Sequence, residues 1–331
     1  MKARLMLATI VLTLLAGMVL AQGQRRQRLN PMIELLEQKK PMFGLYMPSN
    51  PRQGGRGRGG ETPAPAPTGP VLTAVELGKM AAARRDIDFI FNGSMPADFA
   101  DFHRGMLDAG TLVKTPFLRL THPAIFKIHQ IADDPARALK EMNDQLNLGA
   151  VGQMFVEASS AAEVQQGLAG MRFKSKGGTR PDDVGKAPSF WGMNEAQYKQ
   201  KADLWPLNPD GELLNWTIIE SLEGLAKTRE IAAVKGIGVL WPGAGTLRGV
   251  TSKVNAKGER EPDPVAWEAA IQKVLAACKE FNVACGYPAN ENDIEMRMQQ
   301  GFSVLLMSWG EPGFRAVQKG RVASGRSTSQ Q

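Results

Sequence analysis

Short apolar runs and amphipathic stretches alternate along most of this 331-residue chain. The runs at 42–47, 88–91, 117–120, 151–156, 216–220, 237–242, 283–286 and 303–307 have the length and continuous apolar character of buried parallel strands. Between them the apolar positions recur at helical spacing. Thr73 with Glu76 forms a capping-box signature before a helix through Ala83, and Phe99, Phe102, Met106 and Leu107 share one face of the next. Asp134-Pro135 opens a helix carrying Leu139, Met142 and Leu146, which Gly149 stops. Ser160 and Glu163 repeat the capping logic ahead of Val164, Leu168 and Met171. After a long connection at 173–213, a helix runs to Ala233, Asp263-Pro264 starts another with Trp267, Ile271, Val274 and Cys278 aligned, and Ile294 and Met298 mark a last one. Eight strands alternating with helices predict a single-domain α/β fold, the (β/α)8 TIM barrel. An open doubly wound sheet is the runner-up, and its nucleotide-binding forms lose support because no G-x-G-x-x-G or P-loop motif follows a strand.

The ends of the chain break this rhythm. Lys2 and Arg4 precede an uncharged apolar run from Leu5 to Leu20 that closes on Val19-Leu20-Ala21, the pattern of a signal peptide at 1–21. Cleavage after Ala21 predicts an exported protein, periplasmic or secreted, without an integral membrane segment after processing; an uncleaved anchor is the alternative. A basic tail at 22–29, a barrel domain at 30–318 and a disordered tail at 319–331 follow. Within the domain, the Gly-, Arg- and Pro-rich stretch 51–70 is too poor in apolar surface to order itself and is expected to be a loop over the end of the first strand.

Charge narrows the partners. The net +7 lies at the front, since residues 1–60 hold ten Lys or Arg against two Glu, and the body is nearly neutral. Nucleic-acid binding calls for basic residues across a folded face, so no nucleic acid is expected as a partner; solvated charge is the plainer account of Arg25, Arg26, Arg28, Arg52, Arg56 and Arg58. An adhesin for anionic surfaces is a further alternative. Cys278 and Cys285 each have the setting of a small buried apolar residue, and free thiols are expected.

In a barrel of this kind reactive groups sit where strands end, which singles out Glu220 after Ile218-Ile219 and Arg119 after Phe117-Leu118. A carboxylate at that place is costly to bury unless it is paired or bound to a cation. A guanidinium there offers a two-point contact to a substrate carboxylate, or an internal ion pair. Lys174, Lys176 and Arg180 around Gly177-Gly178 are an anion-cradle candidate, with a solvated loop as the alternative.

The segments Phe43-Gly44-Leu45-Tyr46, Ile87-Asp88-Phe89-Ile90, 115–119, Gly149-Ala150 through Ala161-Ala162-Glu163, Gly178-Thr179-Arg180, Ile219-Glu220, and Glu230-Ile231-Ala232-Ala233-Val234 before Gly243 occur in that order. Together they resemble the HpcH/HpaI aldolase and citrate lyase family over residues 30–318. The resemblance implies a TIM-barrel homo-oligomer that makes or breaks a carbon–carbon bond of a small 2-oxo acid, such as a 4-hydroxy-2-oxo acid. It also implies a divalent cation, Mg2+ or Mn2+, that stabilises the enolate. Glu220 matches the family's glutamate metal ligand, Arg119 its substrate-binding and catalytic arginine, and Gly243 with Ala244 the turn that receives the carboxylate.

Other positions depart from the family. Gly243-Ala244-Gly245-Thr246-Leu247 has Thr246 where the family has its aspartate ligand, so Thr246 faces the substrate as a neutral hydroxyl. The family's histidine base is missing from Asn92-Gly93-Ser94-Met95, and Ile218 stands where it has a glutamine. Glu157, after the fourth strand, is the replacement candidate for the metal ligand, and His122 for the base. Their plainer alternatives are a surface carboxylate and a turn residue before Pro123. His103 and His129 are expected to be ordinary. The expected activity is an aldolase-like lyase, altered at its metal; the rival is a non-catalytic exported barrel that binds a small carboxylate or a protein partner.

Overall fold

The computed structural model describes residues 27–50 and 70–327. The signal-peptide expectation at 1–21, most of the basic tail, the stretch at 51–69 and the last four residues lie outside the described residues. Eight strands form the fold: β1 (Met42–Tyr46), β2 (Phe89–Asn92), β3 (Ala124–Lys127), β4 (Gly152–Phe155), β5 (Leu213–Ile219), β6 (Val239–Pro242), β7 (Ala284–Pro288) and β8 (Val304–Met307). Each pairs in parallel with the next, and β8 returns to β1 with Phe43 opposite Leu305, so the sheet closes into the expected (β/α)8 barrel.

Seven strands fall where the apolar runs place them. The third does not: the expected run at 117–120 forms only a short antiparallel pair, Leu112–Val113 with Arg119–Leu120, and the barrel takes Ala124–Lys127 instead. Pro123 had the look of a turn. It sits just ahead of β3, where a missing N–H costs no ladder bond and its carbonyl accepts from Ile90 N at 3.0 Å.

The barrel interior is packed with aromatic rings. Trp216 of β5 stacks between Phe91 (5.8 Å between centroids, 9°) and Trp241 (5.2 Å, 11°), with Phe89 edge-on at 5.2 Å. Two glycines make room for them. A Cβ at Gly44 would stand 2.1 Å from the Phe89 ring, and one at Gly286 1.8 Å from the Trp241 ring, so side chains there are excluded by the rings of the adjacent strands.

Outside the barrel, helix starts follow their caps. Thr73 and Glu76 complete the capping box of α1 (Ala74–Ala82), and Asp134, Ser160 and Asp263 cap α2 (Pro135–Asn147), α3 (Ala161–Met171) and α4 (Pro264–Glu280). Cys278 of α4 and Cys285 of β7 are joined in a disulfide, against the expectation of free thiols. Both are buried as expected, but β7 follows α4 so closely that the two Cα atoms come to 5.7 Å, within bridging range. Among the described residues no helix is long and apolar enough to cross a membrane.

The domain also extends past both expected boundaries. Arg28, placed in the basic tail, is buried; it donates to Gly211 O at 3.2 Å and Pro209 O at 2.6 Å and pairs with Glu37. At the other end α5 (Glu311–Ala323) runs beyond residue 318, and Arg326 makes a two-point contact with buried Asp88, at 2.6 Å to each carboxylate oxygen. Asp88 also accepts from Phe43 N at 2.8 Å, so this pair closes the lower end of β1 and β2. Truncation after residue 318 leaves Asp88 buried without its cation. It is expected to cost about 3–5 kcal/mol in urea unfolding, and an unchanged midpoint would remove the clamp from the fold's stability.

Burial lowers His103 and His122 to about 4 from the ordinary 6.5. Between those values the unfolded chain binds protons that the folded chain refuses. The stability each neutral ring contributes is therefore full above pH 6.5 and is lost as pH falls towards 4, on the order of 3 kcal/mol per histidine. Glu212 acts in the opposite sense, because burial raises it to about 6 from 4.5, and acidification through that window returns roughly 2 kcal/mol. The histidines outweigh it, so the urea midpoint is expected to be lower at pH 5 than at pH 7.5; equal midpoints would contradict this.

Candidate functional site

A cavity of about 240 Å³ opens at the end of the barrel where the strands finish. Tyr46 ends β1, Lys127 ends β3, Glu220 follows β5, and Gly243 to Thr246 follow β6; Met154, Ile218 and Trp241 form the floor. Polar groups thus ring the rim over an apolar base, the arrangement of a small-molecule site.

Glu220 is held from two sides and is 6% exposed. Thr246 donates its hydroxyl to Oε2 at 2.8 Å, and the Glu157 amide donates to Oε1 at 3.3 Å. Glu157 reaches this position with φ of +49°, a left-handed conformation that is unfavourable for a non-glycine residue. Gly243 closes the third side: a Cβ there would stand 2.3 Å from the Glu220 Cβ and 2.8 Å from Oε2, so the turn needs glycine because the carboxylate packs against it. Burial, together with the Glu220 charge, raises the Tyr46 phenol, which stays protonated as a donor at the rim.

Lys127 is the group that sequence reasoning missed. Its carbonyl accepts from Gln145 Nε2 at 3.0 Å, which ties the end of β3 to α2, and its side chain lines the cavity with Glu220. A signal was present, because Ala124-Ile125-Phe126-Lys127 is an apolar run ending on a charge, as Ile218-Ile219-Glu220 is.

Several expected residues lie elsewhere. Arg119 stands before β3, on the side where strands begin, and pairs with Glu34 of the N-terminal helix Pro31–Glu37. His122 is buried on that same side, with Nε2 against Arg84 O at 3.0 Å and Nδ1 against the Thr121 hydroxyl at 2.7 Å, so it is no base for this cavity. Both placements follow from the third strand lying further along the chain than expected. Gly243 lines the cavity, but its amide is taken by Ile219 O at 2.8 Å and cannot receive a substrate carboxylate. Ala244 and Thr246 line it as expected. Lys174, Lys176 and Arg180 form no cradle: Arg180 is buried against the Phe173 ring and bonded to Asn147, while Lys176 donates to Gln200 O.

A more open cleft of about 430 Å³ adjoins the cavity and shares Lys127, Glu220 and Thr246 with it. Glu157 and His129 border it, and His129 is paired with Asp133 at 2.8 Å.

The donor set does not fit a resident Mg2+ or Mn2+. Glu220 is the carboxylate in the cavity lining, both its oxygens already accept hydrogen bonds, and Thr246 offers a hydroxyl in place of a second carboxylate. Glu157 brings its amide rather than its carboxylate to Glu220, and the other charged side chain lining the cavity is a lysine, Lys127, which is no cation ligand in its ordinary charged form. Among the described residues no group of three acidic, imidazole or thiol side chains is placed to hold a metal.

No family model matches the chain, and no curated protein matches it. Solved structures do. An HpcH/HpaI aldolase/citrate lyase family protein from Burkholderia cenocepacia J2315 superposes with a TM-score of 0.60 at 19% identity, covering 84% of this chain and 92% of that one. An HpcH/HpaI aldolase from Desulfitobacterium hafniense DCB-2 gives 0.56 at 17%, covering 84% and 89%, and macrophomate synthase gives 0.50 at 17%, covering 76% and 80%. The chain thus has the barrel fold of the HpcH/HpaI aldolase and citrate lyase proteins.

Proposed function

We propose that this protein is a carbon–carbon lyase of small 2-oxo acids, cleaving a 4-hydroxy-2-oxo acid to pyruvate and an aldehyde. The observation that carries this is the placement of Lys127 and Glu220 at the ends of β3 and β5, in one cavity of small-metabolite size. Such a cleavage needs a base for the 4-hydroxyl proton and a positive or electrophilic partner for the 2-oxo group, where electrons collect as the bond breaks. Glu220, held by Thr246 and the Glu157 amide, supplies the base. Lys127 supplies the nitrogen facing the oxo end, and the Tyr46 phenol is a proton donor beside them. The apolar floor of Met154, Ile218 and Trp241 keeps water from the carbon that becomes nucleophilic. The disulfide supports the export expected from the first residues, since such bonds persist in oxidising compartments.

Pyruvate release from a panel of 4-hydroxy-2-oxo acids, followed by coupled reduction to lactate, tests this. Glu220→Gln keeps the shape of the side chain and removes the base, and is expected to lower kcat by about 10²–10⁴-fold with little change in thermal midpoint. A wild-type chain that releases no pyruvate from any member of the panel overturns the proposal.

A further inference from the structure

Lys127 differs from four other buried or half-buried cations of this fold, which have carboxylate partners. Arg28 meets Glu37, Arg172 meets Asp203, Arg297 meets Glu268 and Arg326 meets Asp88. Lys127 Nζ meets no hydrogen-bond or ion-pair partner among the described residues, although the residue is half-buried and lines the cavity. The amine also shares the cavity with a fixed base, Glu220.

We propose that Lys127 forms a covalent imine with the 2-oxo carbon of its substrate, so that the lysine, rather than a metal, takes the electrons of bond cleavage. This rests on the 2-oxo-acid lyase function given above. The unprotonated amine adds to the carbonyl carbon, and loss of one water with uptake of one proton from solvent leaves a protonated imine, a proton that is returned when the imine is hydrolysed. Glu220 takes the proton from the 4-hydroxyl, and the C3–C4 bond breaks. The C4 fragment leaves as an aldehyde, and the bonding pair moves into the C2–C3 bond as the iminium is neutralised to an enamine. C3 then takes back a proton, and water hydrolyses the imine to pyruvate and free lysine. The sum is one 4-hydroxy-2-oxo acid giving one pyruvate and one aldehyde, with no oxidant or reductant.

The test is borohydride reduction of the full chain with pyruvate in the presence of EDTA, read by intact mass and peptide mapping, beside pyruvate release under the same chelation. The expected result is one reduced pyruvyl adduct on Lys127, unchanged turnover in EDTA, and neither adduct nor turnover in Lys127→Arg. That variant keeps the charge but cannot form an imine, and a wild-type circular-dichroism spectrum and melt would show that it folds. Turnover that EDTA abolishes and Mg2+ restores, with no adduct, overturns the imine and leaves the lyase function standing. An adduct on another lysine overturns the assignment to Lys127. Neither adduct nor pyruvate release from any substrate of the panel removes both.

Discussion

Closure of eight parallel strands into one ring is the constraint on which the rest of this structure depends. A closed barrel has a fixed interior, and side chains alternate into it from every strand, so large residues are matched by small ones at neighbouring positions on adjacent strands. Here the interior is filled by Phe89, Phe91, Trp216 and Trp241, and the space comes from Gly44 and Gly286. Closure also sets the direction of every strand end. Tyr46, Lys127, Glu220 and the turn after β6 come from widely separated parts of the chain, yet the parallel ring delivers all of them to one rim.

The rim is built around a carboxylate that its surroundings restrain closely. Thr246, the Glu157 amide and the missing side chain at Gly243 fix the position of Glu220, and Glu157 adopts an unfavourable backbone conformation while doing so. Strain kept beside an immobilised carboxylate is characteristic of functional sites. The lower end of the barrel is built for a different purpose. Asp88 with Arg326, and Glu212 with Arg28, are buried ion pairs that join the chain's outer segments to the ring, and they face no cavity shared with Glu220. Chemistry and anchoring are thus separated by the length of the strands.

Thr246 shows how a departure from a familiar pattern changes meaning once its surroundings are known. As a sequence letter it is a lost metal ligand. In the fold its hydroxyl donates to Glu220 and fixes the carboxylate without adding charge. Lys127, at the third strand end, lines the same cavity.

Seven of the eight strands, the helix caps at Thr73, Asp134, Ser160 and Asp263, and the placement of Glu220 at a strand end were determined by the sequence alone, because each rests on local physics. Apolar runs flanked by polar turns must be buried, and a carboxylate ending such a run must be satisfied there. What the sequence left undecided depends on which of two neighbouring runs pairs with β2. Residues 117–120 and 124–127 are both apolar and both end near a cation, and only closure of the ring selects the second. That single selection places Lys127 in the cavity and puts Arg119 and His122 on the opposite side of the barrel. The Cys278–Cys285 bridge was likewise decided in three dimensions, since burial is a property of each residue but the distance between two of them belongs to the fold.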